Sequence, residues 1–139
     1  MSKITYNAEI LKLMSLFEKI TKTHIKDCFI DNSNLLTFVV NDFELGKAIG
    51  KQAVNVKKIE SMLKRKIKIL GFNNNPVQFI KNLIYPITDV EINQKENIFF
   101  VKAKDIKVKG ILIGREQSNI KNLNDIFQKY FKDMSIKIV

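Results

Sequence analysis

The spacing of hydrophobic residues changes along the first half of the chain, and each spacing predicts a different element. Apolar side chains recur every third or fourth position over residues 7–20, as on one face of a helix, with Asn7 as the N-cap. Runs rich in Phe, Ile, Val and Thr flank Asn32-Ser33-Asn34 and predict a β-hairpin. The predicted elements are a helix at 7–20, strands at 27–31 and 36–40, a short helix at 43–48, a turn at 50–53, a longer helix to about 64 and a strand at 66–70.

The second half predicts the same order of elements. Asn75-Pro76 is an N-cap followed by a proline at the first helical position, and Tyr85-Pro86 ends that helix. The elements that follow are strands at 90–93 and 98–103, a short helix at 105–112, a turn at 114–117, a helix at about 118–132 and a strand at 135–139. Each half therefore reads helix, strand, strand, helix, helix, strand, or αββααβ.

The two halves also share a sequence repeat at a constant offset of 64 residues, centred on an Ile-Gly turn. Residues 46–63 correspond to residues 110–127. The identical pairs are Gly46 and Gly110, Ile49 and Ile113, Gly50 and Gly114, Asn55 and Asn119, and Lys57 and Lys121. A repeat of this kind indicates two copies of one module, and we expect domains at 1–72 and 73–139.

The charge of the chain suggests an anionic partner. The formal net charge is +10, and a charge of this size most often indicates nucleic acid as the partner and less often a membrane surface. Residues 46–70 contain eight lysines and arginines against Glu60 alone, whereas residues 109–132 contain five against two acidic residues. The positive charge is therefore concentrated around the first glycine turn.

The remaining composition bears on location. Cys28 is the only cysteine, so no intramolecular disulfide can form within one chain. The N-terminus does not match a signal peptide, and no apolar run approaches the roughly 20 residues needed to span a bilayer. We therefore expect a cytoplasmic protein without a membrane partner.

A glycine turn before a basic helix has a direct chemical use. The turn exposes backbone N–H groups, the helix adds the positive end of its dipole, and lysines supply mobile charge. Together these groups can hold a sugar–phosphate backbone. This arrangement resembles the KH domain, whose Gly-X-X-Gly loop clamps about four nucleotides of single-stranded RNA. The αββααβ order is similar to the type II form of that fold.

Four segments of the first half, together with this order, resemble the archaeal NusA family: residues 15–19, 27–31, 37–40 and 46–52. The resemblance implies an α+β fold of two tandem type II KH domains, each with a three-stranded sheet and helices on one face. It also implies single-stranded RNA binding in transcription elongation, termination or antitermination, with RNA polymerase as a protein partner.

The resemblance assigns the candidate RNA-binding residues, with the first turn expected to dominate. In the first half they are Gly50, Lys51, Gln52, Ala53, Lys57 and Lys58, and in the second Gly114, Arg115, Glu116, Gln117 and Lys121. Neither turn keeps the second glycine of the motif. The methyl group of Ala53 is expected to be tolerated if that residue adopts helical angles, whereas Gln117 is larger and Glu116 opposes a phosphate.

Other functions remain open. A KH-fold adaptor that docks on RNA polymerase, or a KH protein of ribosomal or processing RNA, would share these patterns, and nothing separates RNA from single-stranded DNA. We expect no enzyme, no cofactor and no metal, because no catalytic or nucleotide-binding motif appears and His24 lacks companions at ligand spacing. Cys28, Phe99 and Phe100 lie in strand patterns and are expected in the core.

Overall fold

A computed structural model describes residues 6–139, which form a mixed α+β structure with two three-stranded sheets. The helices are α1 (Ala8–Thr21), α2 (Leu45–Ile49), α3 (Val54–Leu63), α4 (Pro76–Ile84), α5 (Ile106–Ile113) and α6 (Ser118–Phe127). The strands are β1 (Ile25–Ile30), β2 (Leu36–Asn41), β3 (Ile67–Phe72), β4 (Val90–Lys95), β5 (Ile98–Ala103) and β6 (Ser135–Ile138). One compact unit comprises the described residues up to Asn73, and the second comprises Asn74–Val139.

The first unit has the order α1-β1-β2-α2-α3-β3. Strand β2 lies in the middle of the sheet, antiparallel to β1 and parallel to β3. Leu36 at the start of β2 pairs with Ile67 at the start of β3. The chain must therefore return along the sheet between these two strands, and α2, the glycine turn and α3 form that return.

Alternate residues of β2 anchor the core of the first unit. Leu36, Phe38 and Val40 are buried in one cluster with residues of all three helices, because successive strand side chains point to opposite faces. The rings of Phe17 on α1 and Phe38 stack with their centroids 4.6 Å apart. The helices of this unit thus pack on the face of the sheet that carries Leu36, Phe38 and Val40.

The second unit has the corresponding order α4-β4-β5-α5-α6-β6. Strand β5 is antiparallel to β4 and parallel to β6, with Ile98 paired to Ser135. An aromatic cluster forms much of its core. The ring centroid of Phe79 lies 5.7 Å from that of Phe131 and 6.3 Å from that of Phe127. The ring centroids of Phe127 and Phe99 are 5.7 Å apart.

The predicted helix at 118–132 is too long, because α6 ends at Phe127. The next N–H groups bond to carbonyls three residues back, Lys129 to Ile126 at 3.1 Å and Tyr130 to Phe127 at 3.2 Å, which tightens and then ends the helix. Phe131 meanwhile stacks on Phe127 at 5.0 Å. Aromatic packing therefore accompanies a turn where the apolar spacing alone predicts more helix.

Among residues 6–139, no helix is long and apolar enough to cross a membrane.

Candidate nucleic-acid interface

The first loop, Gly50–Ala53, has an unusual backbone. Gly50 has φ +80° and ψ 165°, and the next residues form a short 3-10 turn before α3. Gln52 (φ 53°, ψ 33°) and Ala53 (φ 60°, ψ 30°) both lie in the left-handed region. Two successive left-handed residues are rare outside glycine and direct the chain sharply from α2 into α3.

The second loop, Gly114–Gln117, repeats this backbone closely. Gly114 has φ 76° and ψ 170°, Glu116 has φ 53° and ψ 32°, and Gln117 has φ 65° and ψ 18°. The sequence repeat therefore corresponds to a repeat of backbone conformation. The repeat includes the two left-handed residues of each loop, none of which is a glycine.

The residues that replace the second glycine of the motif do not have the expected backbone angles. The methyl group of Ala53 was expected to be tolerated if that residue had helical angles, but Ala53 is left-handed, and so is Gln117. Both residues occupy a conformation that glycine adopts at lower cost. The two loops therefore share the same backbone departure, and they differ in the side chains that they present.

The first glycine of each loop is required by its surroundings. A Cβ on Gly50 would lie 2.9 Å from Cγ1 of Val54, and a Cβ on Gly114 would lie 2.7 Å from the backbone nitrogen of Asn119. Both residues also have positive φ. Space and backbone conformation thus select glycine at the same point of both loops.

An asparagine at the same position of both units connects the helices on the two sides of each loop. The Nδ2 group of Asn55 donates to the carbonyls of Lys47 and Ala48, at 3.2 and 3.1 Å. The Nδ2 group of Asn119 donates to the carbonyls of Ile111 and Leu112, at 3.3 and 2.9 Å. These amides satisfy carbonyls at the end of the preceding helix and join it to the following one. The sequence repeat contained this signal, but neither asparagine was predicted as a site residue.

The helices that follow the loops begin without a side-chain cap. Side chains of Asn7, Asn75 and Asp105 accept hydrogen bonds at the starts of α1, α4 and α5. Within the described part of the chain, no side chain caps the start of α3 or α6. In the first loop the N–H of Ala53 donates to the carbonyl of Gly50 at 3.0 Å. The start of α3 therefore presents a positive helix end to an incoming anion.

Cations surround the first loop. Lys51 and Lys57, with Gln52 and Val54, line a shallow depression of about 350 Å³ beside the start of α3. Lys58 is exposed on the same helix. The structure thus brings three of the predicted residues together at one depression, Lys51, Gln52 and Lys57, whereas Lys58 does not line it.

The second loop presents a different surface. Arg115, Glu116, Gln117 and Lys121 are all exposed, so a carboxylate stands next to the only cation within the loop itself. At close range these opposite charges compensate each other. The second loop keeps the backbone of the first but offers less positive charge.

The other residues considered for a chemical role lie in the core or make surface contacts. Cys28 and Phe99 are fully buried, and Phe100 is half-buried. Burial raises the pKa of the Cys28 thiol to about 12, with a further contribution from the charge of Asp27. His24 is 92% exposed, with Nδ1 3.4 Å from Oε1 of Glu44. Between Tyr6 and Val139, no group of three or more His, Cys, Asp or Glu residues is placed to hold a metal.

Comparison with known folds gives a solved relative. The crystal structure of APE1850 superposes with a TM-score of 0.72, covering 96% of this chain and 100% of that one, at 24% sequence identity. At this identity the likeness concerns the fold alone. It shows that the arrangement of elements described above occurs in an experimentally determined structure.

Sequence comparison identifies the family. The model of the KH domain matches residues 13–84. The probable transcription termination protein NusA of Methanocaldococcus jannaschii is 29% identical over 143 residues, covering 100% of this chain and 77% of that protein. The probable NusA protein of Methanococcus vannielii is 31% identical, and the match covers 99% of this chain and 80% of that protein. The probable NusA protein of Thermoplasma acidophilum is 25% identical, and the match covers 99% of this chain and 97% of that protein. The chain therefore belongs to the KH-domain family and, within it, to the archaeal NusA-like proteins.

Proposed function

We propose that this protein is a single-stranded RNA-binding transcription factor of the NusA type, built from two tandem type II KH domains. It acts on elongation, termination or antitermination, and it is not an enzyme. The observation that carries the proposal is the first loop. There, a strained glycine turn, an uncapped helix start and two lysines converge on one exposed depression.

The first loop binds RNA through its backbone and its cations. The N–H groups of Lys51 and Gln52 and the start of α3 contact one phosphate, and Gly50 and Ala53 leave room for it to approach. Lys57 and Lys58 neutralise the phosphates that follow. Because backbone groups and flexible lysines read charge and shape, these contacts position the RNA and do not select its sequence.

The second loop is a weaker RNA contact. Gly114 and Arg115 supply the same backbone and one cation, and Lys121 lies on α6 at the position of Lys57. Glu116 places a carboxylate beside the phosphate path, and the side chain of Gln117 narrows the approach. These features reduce affinity without removing the site.

The role in transcription rests on the relatives. Three similar proteins carry the name of a probable transcription termination protein, and each matches nearly the whole of this chain. A factor of this kind meets RNA as it leaves the polymerase, so RNA polymerase is the proposed protein partner.

A KH-fold adaptor is the second candidate function, and two exposed apolar residues favour it. Phe43, just before α2, is 85% exposed, and Ile106, at the start of α5, is 88% exposed. In an adaptor such residues would contact the polymerase, and RNA contact would be secondary. If so, Phe43→Ser and Ile106→Ser weaken polymerase binding while RNA affinity is unchanged.

A titration with three nucleic acids tests the leading proposal. Single-stranded RNA, single-stranded DNA of the same sequence and duplex DNA are compared at several salt concentrations. We expect the single strands to bind more tightly than the duplex, with a salt slope between about −1.4 and −2.8 if two to four phosphates are contacted. Equal affinity for all three would indicate lysine electrostatics alone and would overturn the proposal.

A further inference from the structure

We propose that the RNA path extends beyond the first loop, along the exposed face of α3, to a second phosphate contact made by Lys64, Arg65 and Lys66. These three residues are called the basic triad below. This inference rests on the proposed function, because it concerns RNA already held at the first loop. It predicts a binding site longer than the four nucleotides that one KH loop clamps.

The exposed face of α3 connects the two contacts. Lys57, Ser61 and Lys64 follow one another at spacings of four and three residues, so they lie in one row along the helix. All three are exposed. Helix α3 has ten residues and is about 15 Å long, so the first loop and the triad lie at its two ends.

Two surface depressions meet at the triad. One has a volume of about 480 Å³. It lies between residues 33–35 of the β1–β2 turn and residues 63–66, at and just after the end of α3. The other, of about 380 Å³, is lined by the triad together with Glu60 and Ser61. The triad is shared by both depressions, and the second one lies on the α3 row that leads to the first loop.

Arg65 is held in place between two turns. Its Nη2 group donates to the carbonyl of Asn34 at 3.0 Å, and its backbone N–H donates to the carbonyl of Glu60 at 3.3 Å. Lys64, with φ 54°, turns the chain left-handed before it. A guanidinium fixed at one nitrogen loses little further entropy on binding, and its remaining N–H donors fit the oxygens of a phosphate.

The carboxylate of Glu60 lies near the triad but is already engaged. Oε2 of Glu60 accepts a hydrogen bond from the N–H of Ile67 at 3.0 Å, and Oε1 lies 3.9 Å from Nζ of Lys66. Glu60 therefore joins the end of α3 to β3, and the triad keeps an excess of positive charge.

The second unit offers an internal comparison. At the positions of Lys57, Ser61 and Lys64, its row on α6 has Lys121, Asp125 and Gln128. Asp125 pairs with Lys129 at 3.9 Å, and Nε2 of Gln128 donates to the carbonyl of Met134 at 2.9 Å. The same row is thus neutral and internally bonded in the second unit, so the extended path belongs to the first unit.

The test compares RNA lengths. Lys64→Asn combined with Lys66→Gln removes two exposed charges, and asparagine tolerates the left-handed backbone of residue 64. We expect this variant to lose at least about fivefold in affinity for an unstructured RNA of about ten nucleotides, and less than about twofold for one of about four. The control is Lys132→Asn combined with Lys137→Gln, which removes the same charge from exposed positions of the second unit and should change neither affinity by more than about twofold.

Two further variants make the result decisive. If the double variant does not fold by circular dichroism, Lys66→Gln alone replaces it, with the same length dependence expected. Lys51→Asp combined with Gln52→Asp should weaken RNA of both lengths. Equal losses at both lengths in the triad variant, or none, would overturn the extended path while leaving the first loop as the RNA site. No loss in the loop variant would overturn the proposed function and this inference with it.

Discussion

At the scale of single residues, the four repeated glycines are not equivalent. Gly50 and Gly114 have positive φ and no room for a side chain. A Cβ at Gly46 or Gly110 would meet nothing within 4 Å, although these glycines match in the repeat as well. The sequence could not separate the two pairs, because the difference depends on the backbone angles and on the neighbours that folding brings close.

Alanine substitutions separate the two kinds of glycine. Gly110 lies within α5, so Gly110→Ala should stabilise the second unit by about 0.5–1 kcal/mol by restricting the unfolded chain. Gly114→Ala should destabilise it by roughly 1–3 kcal/mol, since φ is 76° and Cβ would approach the nitrogen of Asn119. Urea unfolding measures both. A stability loss in Gly110→Ala as large as that in Gly114→Ala would contradict this interpretation.

Cys28 provides a prediction about reactivity. Burial raises the pKa of its thiol to about 12 from an ordinary value of 9.0. The folded state therefore favours the protonated thiol, and this contribution to stability is complete below about pH 9 and lost as the pH rises toward 12. At pH 8 a thiol reagent should label Cys28 only after denaturant is added. Rapid labelling of the native protein would show that the thiol is accessible.

At the scale of elements, hydrogen bonds connect each loop to the helices on both sides. Asn55 and Asn119 join the last carbonyls of one helix to the next helix, and α3 and α6 begin without caps. In the proposed RNA contact, a connection of this kind holds the backbone N–H groups in place beforehand, which lowers the entropic cost of binding.

The variant Asn55→Asp tests this connection. It replaces the amide donor by a carboxylate that faces the carbonyls of Lys47 and Ala48. We expect a loss of about 1–2 kcal/mol in the stability of the first unit and faster hydrogen exchange in the loop amides. Asn119→Asp should have the same effect on the second unit alone. Unchanged exchange in both loops would mean that the asparagines do not hold them.

The elements themselves were largely predictable from the sequence, but the loop conformation was not. Strand β5 occupies 98–103 as predicted, because its Phe and Val residues follow a clear strand pattern. The end of α6 was missed, since it coincides with aromatic packing between Phe127 and Phe131. The left-handed angles of Gln52 and Ala53 carry no glycine signal, so the sequence pointed to the first loop and its cations without giving its geometry.

At the scale of the whole molecule, two copies of one structural unit carry different charge. The two loops share their backbone angles within a few degrees at the glycines. Residues 46–70, which include the first loop, contain eight cations against one acidic residue, whereas residues 109–132, which include the second, contain five against two. The two copies thus share the backbone of the loop and differ in the charge of their side chains. We infer that the first loop is the principal RNA contact.

Variants that leave each loop with two adjacent carboxylates test this inference. Lys51→Asp combined with Gln52→Asp places two carboxylates in the first loop, and aspartate tolerates the left-handed angles of residue 52. Arg115→Asp, beside the existing Glu116, places a similar acidic pair in the second. Affinity for single-stranded RNA is measured for both, with folding checked by circular dichroism. We expect the first variant to lose at least about tenfold, or about 1.4 kcal/mol, and the second to lose less. A larger loss in the second variant, with both proteins folded, would contradict the claim.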